Sequence, residues 1–137
     1  MPHDPALVAE ARAWLSKAGK DLATAEYEMQ AYPPFAEDVV FHAQQATEKS
    51  LKAFLSWHRT PFRKTHNLVE LGEACCRIDE GLEPLLRRAA PLTEYAWKFH
   101  YPGDPEEATA GEAAAALATA REVFTAVLGR LPSDIRP

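Results

Sequence analysis

The chain has 137 residues, of which 47% are hydrophobic and 26% are charged, a balance that predicts one folded domain over residues 1–137. Its net charge of -5 argues against general electrostatic binding to nucleic acid, so any phosphate contact has to come from a local group of basic residues. No apolar run approaches the ~18 residues of a membrane span and no signal peptide is apparent. We therefore expect a soluble cytoplasmic protein without membrane contact.

The first predicted helix begins at Pro5, with Asp4 as its N-cap, and ends at Tyr32-Pro33-Pro34. Apolar residues alternate spacings of three and four along its whole length, which is typical of a long helix that packs lengthwise in a bundle. These residues are Val8, Ala11, Leu15, Ala18, Leu22, Ala25 and Met29.

The second predicted helix runs from about Phe35 to His58 and has two unlike faces. Its apolar face is formed by Val40, Ala43, Thr47, Leu51 and Phe54. The opposite face, here called the polar stripe, is formed by His42, Gln45, Lys49, Lys52 and Ser56. An imidazole, an amide and two ammonium groups along one line suit an anionic ligand or a polar interface. Glu48 and Lys52 are four residues apart, which predicts a surface ion pair worth a few tenths of a kcal/mol.

A basic linker, residues 59–66, follows the second helix and contains Arg59, Arg63 and Lys64. A third helix is predicted from about Asn67 to Gly81, and a fourth after Pro84 with a break or kink at Pro91. The last helix is predicted from residue 106 or 111 to residue 129, with a loose tail over 132–137. The pattern predicts an all-α fold, an up-and-down four-helix bundle with an additional short helix, whose core covers about residues 6–131.

The cysteines and histidines give no sign of a metal or a cofactor. Cys75 and Cys76 are adjacent, so a bond between them is sterically poor, and we expect a core Cys75 beside a partly exposed Cys76. No histidine is paired at helical spacing with another histidine or with a cysteine. Only six glycines are present and none forms a phosphate-binding loop, which argues against a P-loop or Rossmann enzyme.

Several segments of the chain together resemble one protein family. The second helix contains FHAQQATEKSLKAFL over residues 41–55, and KTHNLVEL follows over residues 64–71. Asp21-Leu22 with Ala25 in the first helix, and Tyr101-Pro102 after the fourth, also fit. In this combination the chain resembles the HEPN domain of prokaryotes, from about Trp14 to Leu131.

The resemblance implies properties that the helical periodicity does not. Domains of this family are helical bundles that usually form homodimers, and nucleotide binding has been proposed for them. Many are encoded beside a minimal nucleotidyltransferase and act with it as a toxin–antitoxin pair. Others are metal-independent RNases that use an Arg-x(4–6)-His motif assembled across the dimer.

The RNase motif is formally present, because six residues separate Arg59 from His66. In metal-free cleavage a histidine moves the proton of a hydroxyl and an arginine holds the phosphate. In the RNase branch, however, the pair normally lies near the start of a late helix, where this chain has His100 but no arginine at the required distance. A structural role for His66 at the start of the third helix, with Thr65 or Asn67 as the cap, is the alternative.

Three functions therefore stay open from the sequence. The first is a homo-oligomeric HEPN bundle that partners a separately encoded minimal nucleotidyltransferase and binds a nucleotide or RNA phosphate. The second is a metal-independent RNase toxin with Arg59 and His66, or His100, in its active site. The third is a non-catalytic dimeric scaffold. Trp97 and Tyr101 are candidate aromatic contacts. The remaining candidate ligand or interface residues are His42, Gln45, Lys49, Lys52, Arg63 and Lys64.

Overall fold

The computed structural model of the protein describes residues 3–99, 102–103 and 107–137. In this part of the chain the α-helices are α1 (Pro5–Met29), α2 (Ala36–Trp57), α3 (Leu68–Ile78), α4 (Glu83–Ala89) and α5 (Ala110–Gly129). Short 3-10 segments follow at Glu80–Leu82, Ala90–Ala96 and Ser133–Ile135. The described residues contain no strand. The predicted all-helical bundle with an additional short helix, here α4, is confirmed.

Helix α2 lies at the centre of the bundle and packs mainly against α1 and α5. Its predicted apolar face is confirmed, because all five of those residues are buried. Small buried residues on the facing helices, such as Ala18 and Ala46, allow close approach of the backbones. The central position also buries side chains outside that face, including Val39, Leu55 and the charged Glu48. Helix α2 therefore has much less solvent-exposed surface than its sequence predicts.

The helix starts follow from local capping. The Asp4 side chain accepts a hydrogen bond from the Ala6 amide at 3.0 Å, with Pro5 as the first helical residue, as predicted. Asn67 caps α3 by accepting hydrogen bonds from the amides of Val69 and Glu70. Thr109 and Glu112 form a reciprocal capping box at the start of α5.

The predicted break at Pro91 is confirmed, since α4 ends at Ala89 and the chain continues as a 3-10 segment. Proline lacks the amide hydrogen that an α-helical ladder requires. The predicted end of α3 at Gly81 is wrong. The helix ends at Ile78, because Asp79 is extended and its side chain accepts a hydrogen bond from the Gly81 amide.

The prediction of a loose tail over 132–137 is also wrong, and the core extends beyond residue 131. Ile135 is fully buried in the hydrophobic core. The guanidinium of Arg12 on α1 donates hydrogen bonds to the carbonyl oxygens of Asp134 and Ile135. The last residues are therefore fixed against the first helix.

Cys75 is fully buried and Cys76 is half-buried, as predicted, and both are free thiols. Burial raises the pKa of Cys75 to about 12, so this thiol stays protonated and packs as an apolar side chain. No helix among the described residues has the length and apolar character needed to cross a membrane.

Candidate functional site

An open groove lies where the basic linker crosses the start of α1 and the end of α2. We call it the linker groove. Its lining comes from α1 (Leu7, Glu10 and Trp14), from α2 (Lys52 and Ser56) and from the linker (Arg59, Thr60, Pro61, Phe62 and Lys64). Basic, aromatic and acidic side chains therefore face one space, although they are up to 57 residues apart in sequence.

Aromatic rings and one ammonium group form a compact part of this groove. The rings of Trp14 and Phe62 are in edge contact, with centroids 6.2 Å apart. The Lys52 Nζ lies 5.4 Å from the Trp14 centroid and 5.7 Å from that of Phe62. These distances are in the range of cation–π attraction, which holds the ammonium group between the rings.

Next to Lys52, the Glu48 carboxylate accepts hydrogen bonds from three side chains. We call this set of residues the Glu48 network. Its Oε2 accepts from Lys52 Nζ at 2.8 Å. Its Oε1 accepts from Gln44 Nε2 at 3.1 Å and from His66 Nδ1 at 2.8 Å. Gln44 Nε2 also reaches the carbonyl oxygen of His66, at 3.4 Å. The network therefore fixes the end of the linker to the centre of α2.

The prediction that Glu48 and Lys52 form a surface ion pair is wrong. Their residues are only 4% and 7% exposed, because the linker and the Trp14 ring cover them. Burial alone would raise the pKa of Glu48, but hydrogen bonds from Lys52, His66 and Gln44 outweigh this effect and leave the pKa below its ordinary value. Glu48 is therefore ionised at neutral pH.

The lowered pKa of Glu48 predicts a pH dependence of stability. The unfolded chain binds the proton near the ordinary value of about 4.5, while the folded chain binds it only at lower pH. The stabilisation is complete above about pH 4.5 and is lost as the pH falls through the folded-state pKa. We expect the difference in unfolding free energy between the wild type and Glu48→Gln, measured in urea, to stay constant from pH 7 to 5 and to shrink toward pH 3. An unchanged difference at pH 3 would contradict this.

The contact with Glu48 defines which ring nitrogen of His66 is the donor. An ionised carboxylate only accepts hydrogen bonds, so Nδ1 carries a proton and Nε2 is the nitrogen that remains for another contact. The side chain of His66 is 62% exposed, and none of the described residues bonds to Nε2. The prediction that Asn67 caps α3 is confirmed. The imidazole of His66, however, bonds to Glu48 on α2 and not to a neighbouring residue in the sequence.

Most of the polar stripe faces α1. Its side chains therefore make contacts within one chain and do not form a fully exposed surface for a ligand or partner. Asp21 on α1 binds His42 Nδ1 at 3.0 Å and Lys49 Nζ at 2.7 Å. Gln45 donates to the side chain of Gln44 at 2.6 Å. His42, Gln45 and Lys49 are half-buried, and the contacts of His42 and Lys49 with Asp21 join α1 to α2.

The three basic residues of the linker have different surroundings. Arg59 ends α2 in a left-handed conformation, with φ of 56°, and pairs with Asp4 at 3.3 Å. Arg63 binds Glu70 at 2.8 Å and is not part of the groove lining. Lys64 is exposed and lines the groove, and no described residue forms an ion pair with it. The structure therefore leaves Arg59 and Lys64 as the accessible cations of the groove.

The predicted catalytic pair is brought to one region but not into one contact. Arg59 lines the groove and pairs with Asp4, whereas His66 is bound by Glu48 and does not line the groove. His100 and Tyr101, the other candidates near the fourth helix, lie outside the described residues. Trp97 is exposed and does not line the groove.

Sequence reasoning missed Glu10, Trp14, Gln44, Glu48 and Phe62 as site residues. Trp14 lies beside the apolar stripe of α1 and packs against the core, so helical periodicity alone gave no reason to assign it to a site. The other four residues become part of the site only because the linker passes next to them.

Comparison with known proteins identifies a family. A family model described as HEPN domain matches residues 11–131, which is most of the chain. Neither the curated proteins nor the solved structures contain a match.

Proposed function

The chain belongs to the HEPN domain family, and from this premise we propose that its linker groove binds the phosphate of a nucleotide or of RNA. The observation that carries the proposal is that Arg59 and Lys64 line one groove together with the rings of Trp14 and Phe62. Cations suit phosphate, and the accessible parts of two half-buried aromatic rings suit a base. The groove offers both within one space.

The charge of the whole protein supports a local site. The net charge is -5, so the protein as a whole does not attract a phosphate ligand. Basic groups concentrated in one groove then make a phosphate bind there in preference to the rest of the surface. Arg59 and Lys64 are exposed and supply the accessible charge, while Lys52 is neutralised by Glu48 and held against the rings of Trp14 and Phe62.

The backbone of Arg59 also supports a functional role. The left-handed conformation that ends a helix is usually taken by glycine, and a side chain there costs roughly 1 kcal/mol. An arginine at this position, with φ of 56°, places a guanidinium at the groove in spite of that cost. Its pairing with Asp4 is exposed and therefore weak enough to yield to a phosphate.

Replacing both Arg59 and Lys64 with alanine should weaken the binding of ADP at least about tenfold, since each contact between a charged group and a phosphate contributes about 1.5 kcal/mol or more. Isothermal titration calorimetry at low salt measures the change. Arg77→Ala with Arg87→Ala is the matched control, because both arginines are exposed and lie away from the groove. Equal affinity of the groove variant and the wild type would place the ligand elsewhere.

We also propose a homodimer or higher homo-oligomer, and a separately encoded minimal nucleotidyltransferase as a partner in a toxin–antitoxin-like pair in the cytoplasm, where nucleotides and RNA are available. The support is family membership together with an exposed aromatic corner where α1 joins α2. Tyr27, Tyr32 and Phe35 are each more than half exposed there. Such a patch is typical of an interface.

Phe35→Asp tests the aromatic corner without weakening the fold. Phe35 is the N-cap of α2 and makes no side-chain cap bond, and an aspartate there improves the capping. We expect a dimer in the wild type, measured by light scattering, and at least about tenfold weaker association in the variant, because the charge opposes burial in an interface. Val69→Asp, another exposed apolar site, is the control. A monomeric wild type, or an unaffected variant, would contradict the proposed surface.

Co-purification tests the protein partner. A small nucleotidyltransferase encoded in the adjacent reading frame should form a stable complex with this chain when the two are expressed together. If the two proteins separate on gel filtration at micromolar concentration, the partner proposal fails while the groove proposal is untouched.

A metal-independent RNase is the second candidate function, and the contact between Glu48 and His66 favours it. A carboxylate on Nδ1 orients the ring and leaves Nε2 available as a general base, as in other histidine–carboxylate pairs. Arg59 at the nearby groove would hold the phosphate. If neither binding nor cleavage is found, the non-catalytic scaffold is the remaining function.

A further inference from the structure

An open apolar cleft of about 370 Å³ lies between α3 and α4, and we call it the α3–α4 cleft. Among the described residues, it shares no lining residue with the linker groove. One face of α3 lines it with Leu68, Gly72 and Cys76, each four residues from the next, and α4 adds Leu86. Val69 also lines the cleft and is 48% exposed. The isolated chain therefore leaves apolar surface uncovered here.

Gly72 keeps the cleft deeper than the packing of the chain requires. It is buried in the interior of α3, where glycine is less favourable than alanine. A Cβ atom at this position would meet Leu86 Cβ at 3.6 Å and Leu86 Cδ1 at 3.8 Å, which are ordinary contact distances. Alanine would therefore fit and would fill space between the two helices. The glycine points to an occupant that uses this space.

The charges of the cleft are mainly acidic. Glu83 pairs with Arg87 on the same helix, so Glu73, which is exposed, gives the described lining its net negative charge. Burial, together with the carboxylates of Glu83, Asp79 and Glu73, raises the pKa of the Cys76 thiol above its ordinary value. The contribution of the carboxylates indicates a negative potential in the cleft. A complementary occupant carries a positive charge next to its apolar side chains.

We propose that the α3–α4 cleft binds an amphipathic helix of a partner protein, with aliphatic side chains in the cleft and a lysine or arginine beside Glu73. From Leu68 to Cys76 the cleft follows about two turns of α3, or about 12 Å at 1.5 Å per residue. This length fits the side chains at positions i, i+4 and i+7 of one partner helix. The inference goes beyond the proposed function, because nucleotide binding and the aromatic corner use other residues.

Two synthetic peptides of about 16 residues, titrated into the full-length protein and followed by fluorescence anisotropy, test the charge. Both have leucine at positions i, i+4 and i+7, and they differ only in two flanking residues, which are lysine in one and glutamate in the other. We expect the lysine peptide to bind about fivefold more tightly. Glu73→Lys should remove this preference. Glu37→Lys changes the net charge equally at an exposed site outside the cleft lining, and should keep it.

Val69→Gln tests the apolar contact without changing the charge. It should weaken the lysine peptide about tenfold, because a polar amide replaces an aliphatic group that the peptide buries. Ile78→Gln is the matched control, since Ile78 is an exposed aliphatic residue of α3 that does not line the cleft. Circular dichroism melting confirms that each variant is folded.

Alkylation of Cys76 places the peptide. Cys76 lines the cleft and is half-buried, whereas Cys75, the other cysteine of the chain, is fully buried. The lysine peptide at about ten times its Kd should slow the reaction of Cys76 with N-ethylmaleimide about tenfold, because only the unoccupied cleft reacts.

Four results would overturn the inference. They are failure of both peptides to bind, an unprotected Cys76, equal weakening by Val69→Gln and Ile78→Gln, and a preference for lysine that persists in Glu73→Lys. Protection of Cys76 that rises with the concentration of the protein alone would show a second copy in the cleft, and would also contradict a partner helix. Each of these results leaves the proposed nucleotide binding in place, since ADP affinity is measured separately.

Discussion

Replacing Glu48 with alanine should destabilise the protein by about 3–5 kcal/mol, the range expected when one partner of a buried ion pair is removed. The Lys52 ammonium would stay covered by the linker without its carboxylate, and Gln44 and His66 would each lose an acceptor. Since domains of this size are stable by about 5–15 kcal/mol, this change removes a large fraction of the total. Urea unfolding at pH 7 measures it.

Two further variants test the cause. Glu48→Ala combined with Lys52→Met removes the uncompensated charge, so much of the stability should return. Glu70→Ala breaks the exposed pair with Arg63 and should cost less than about 1 kcal/mol. If the single and double variants are equally destabilised, loss of packing and not the buried charge is the main term.

Features of the fold that depend on local sequence could be predicted. The spacing of Ala11, Leu15 and Leu22 determines which face of α1 is buried, because that face repeats with the helical period wherever the partner lies. Caps at Asp4 and Asn67 and the break at Pro91 depend on a few neighbouring residues. These predictions are confirmed for that reason.

Apart from the end of α3, the errors involve segments that are distant in sequence. Periodicity places Glu48 at the edge of the apolar face, and only the path of the linker, with His66 above it, makes this edge part of the interior. Ile135 is buried because Arg12 binds the tail, a contact over more than 120 residues.

In the candidate site, too, features that depend on local sequence could be predicted and contacts between distant segments could not. The basic residues of the linker could be found because charge is visible in the sequence, and Arg59 and Lys64 do line the groove. Their neighbours Glu10 and Trp14 belong to α1, and no local pattern associates them with the linker. The polar stripe was found as a pattern, but its partner Asp21 was not, so its role between α1 and α2 was missed.

If the chain cleaves RNA, His66→Ala should lower the rate constant of metal-free cleavage by about 10²–10⁴-fold, the usual contribution of a general acid or base. The reason is the free Nε2 of a ring whose Nδ1 is held by Glu48. A structured and an unstructured RNA of mixed sequence, incubated in EDTA and followed on denaturing gels, supply the measurement.

The design separates catalysis from folding. His58→Ala removes another exposed histidine near the same linker and should leave the rate constant unchanged. His66→Ala also loses a hydrogen bond to Glu48, so its melting temperature is measured, and cleavage is compared well below it. Imidazole in solution should partly restore cleavage if His66 moves a proton, whereas a merely structural loss would not respond. An inactive wild type, or a His66→Ala variant as fast as the wild type, would exclude this histidine from catalysis and leave nucleotide binding as the function of the groove.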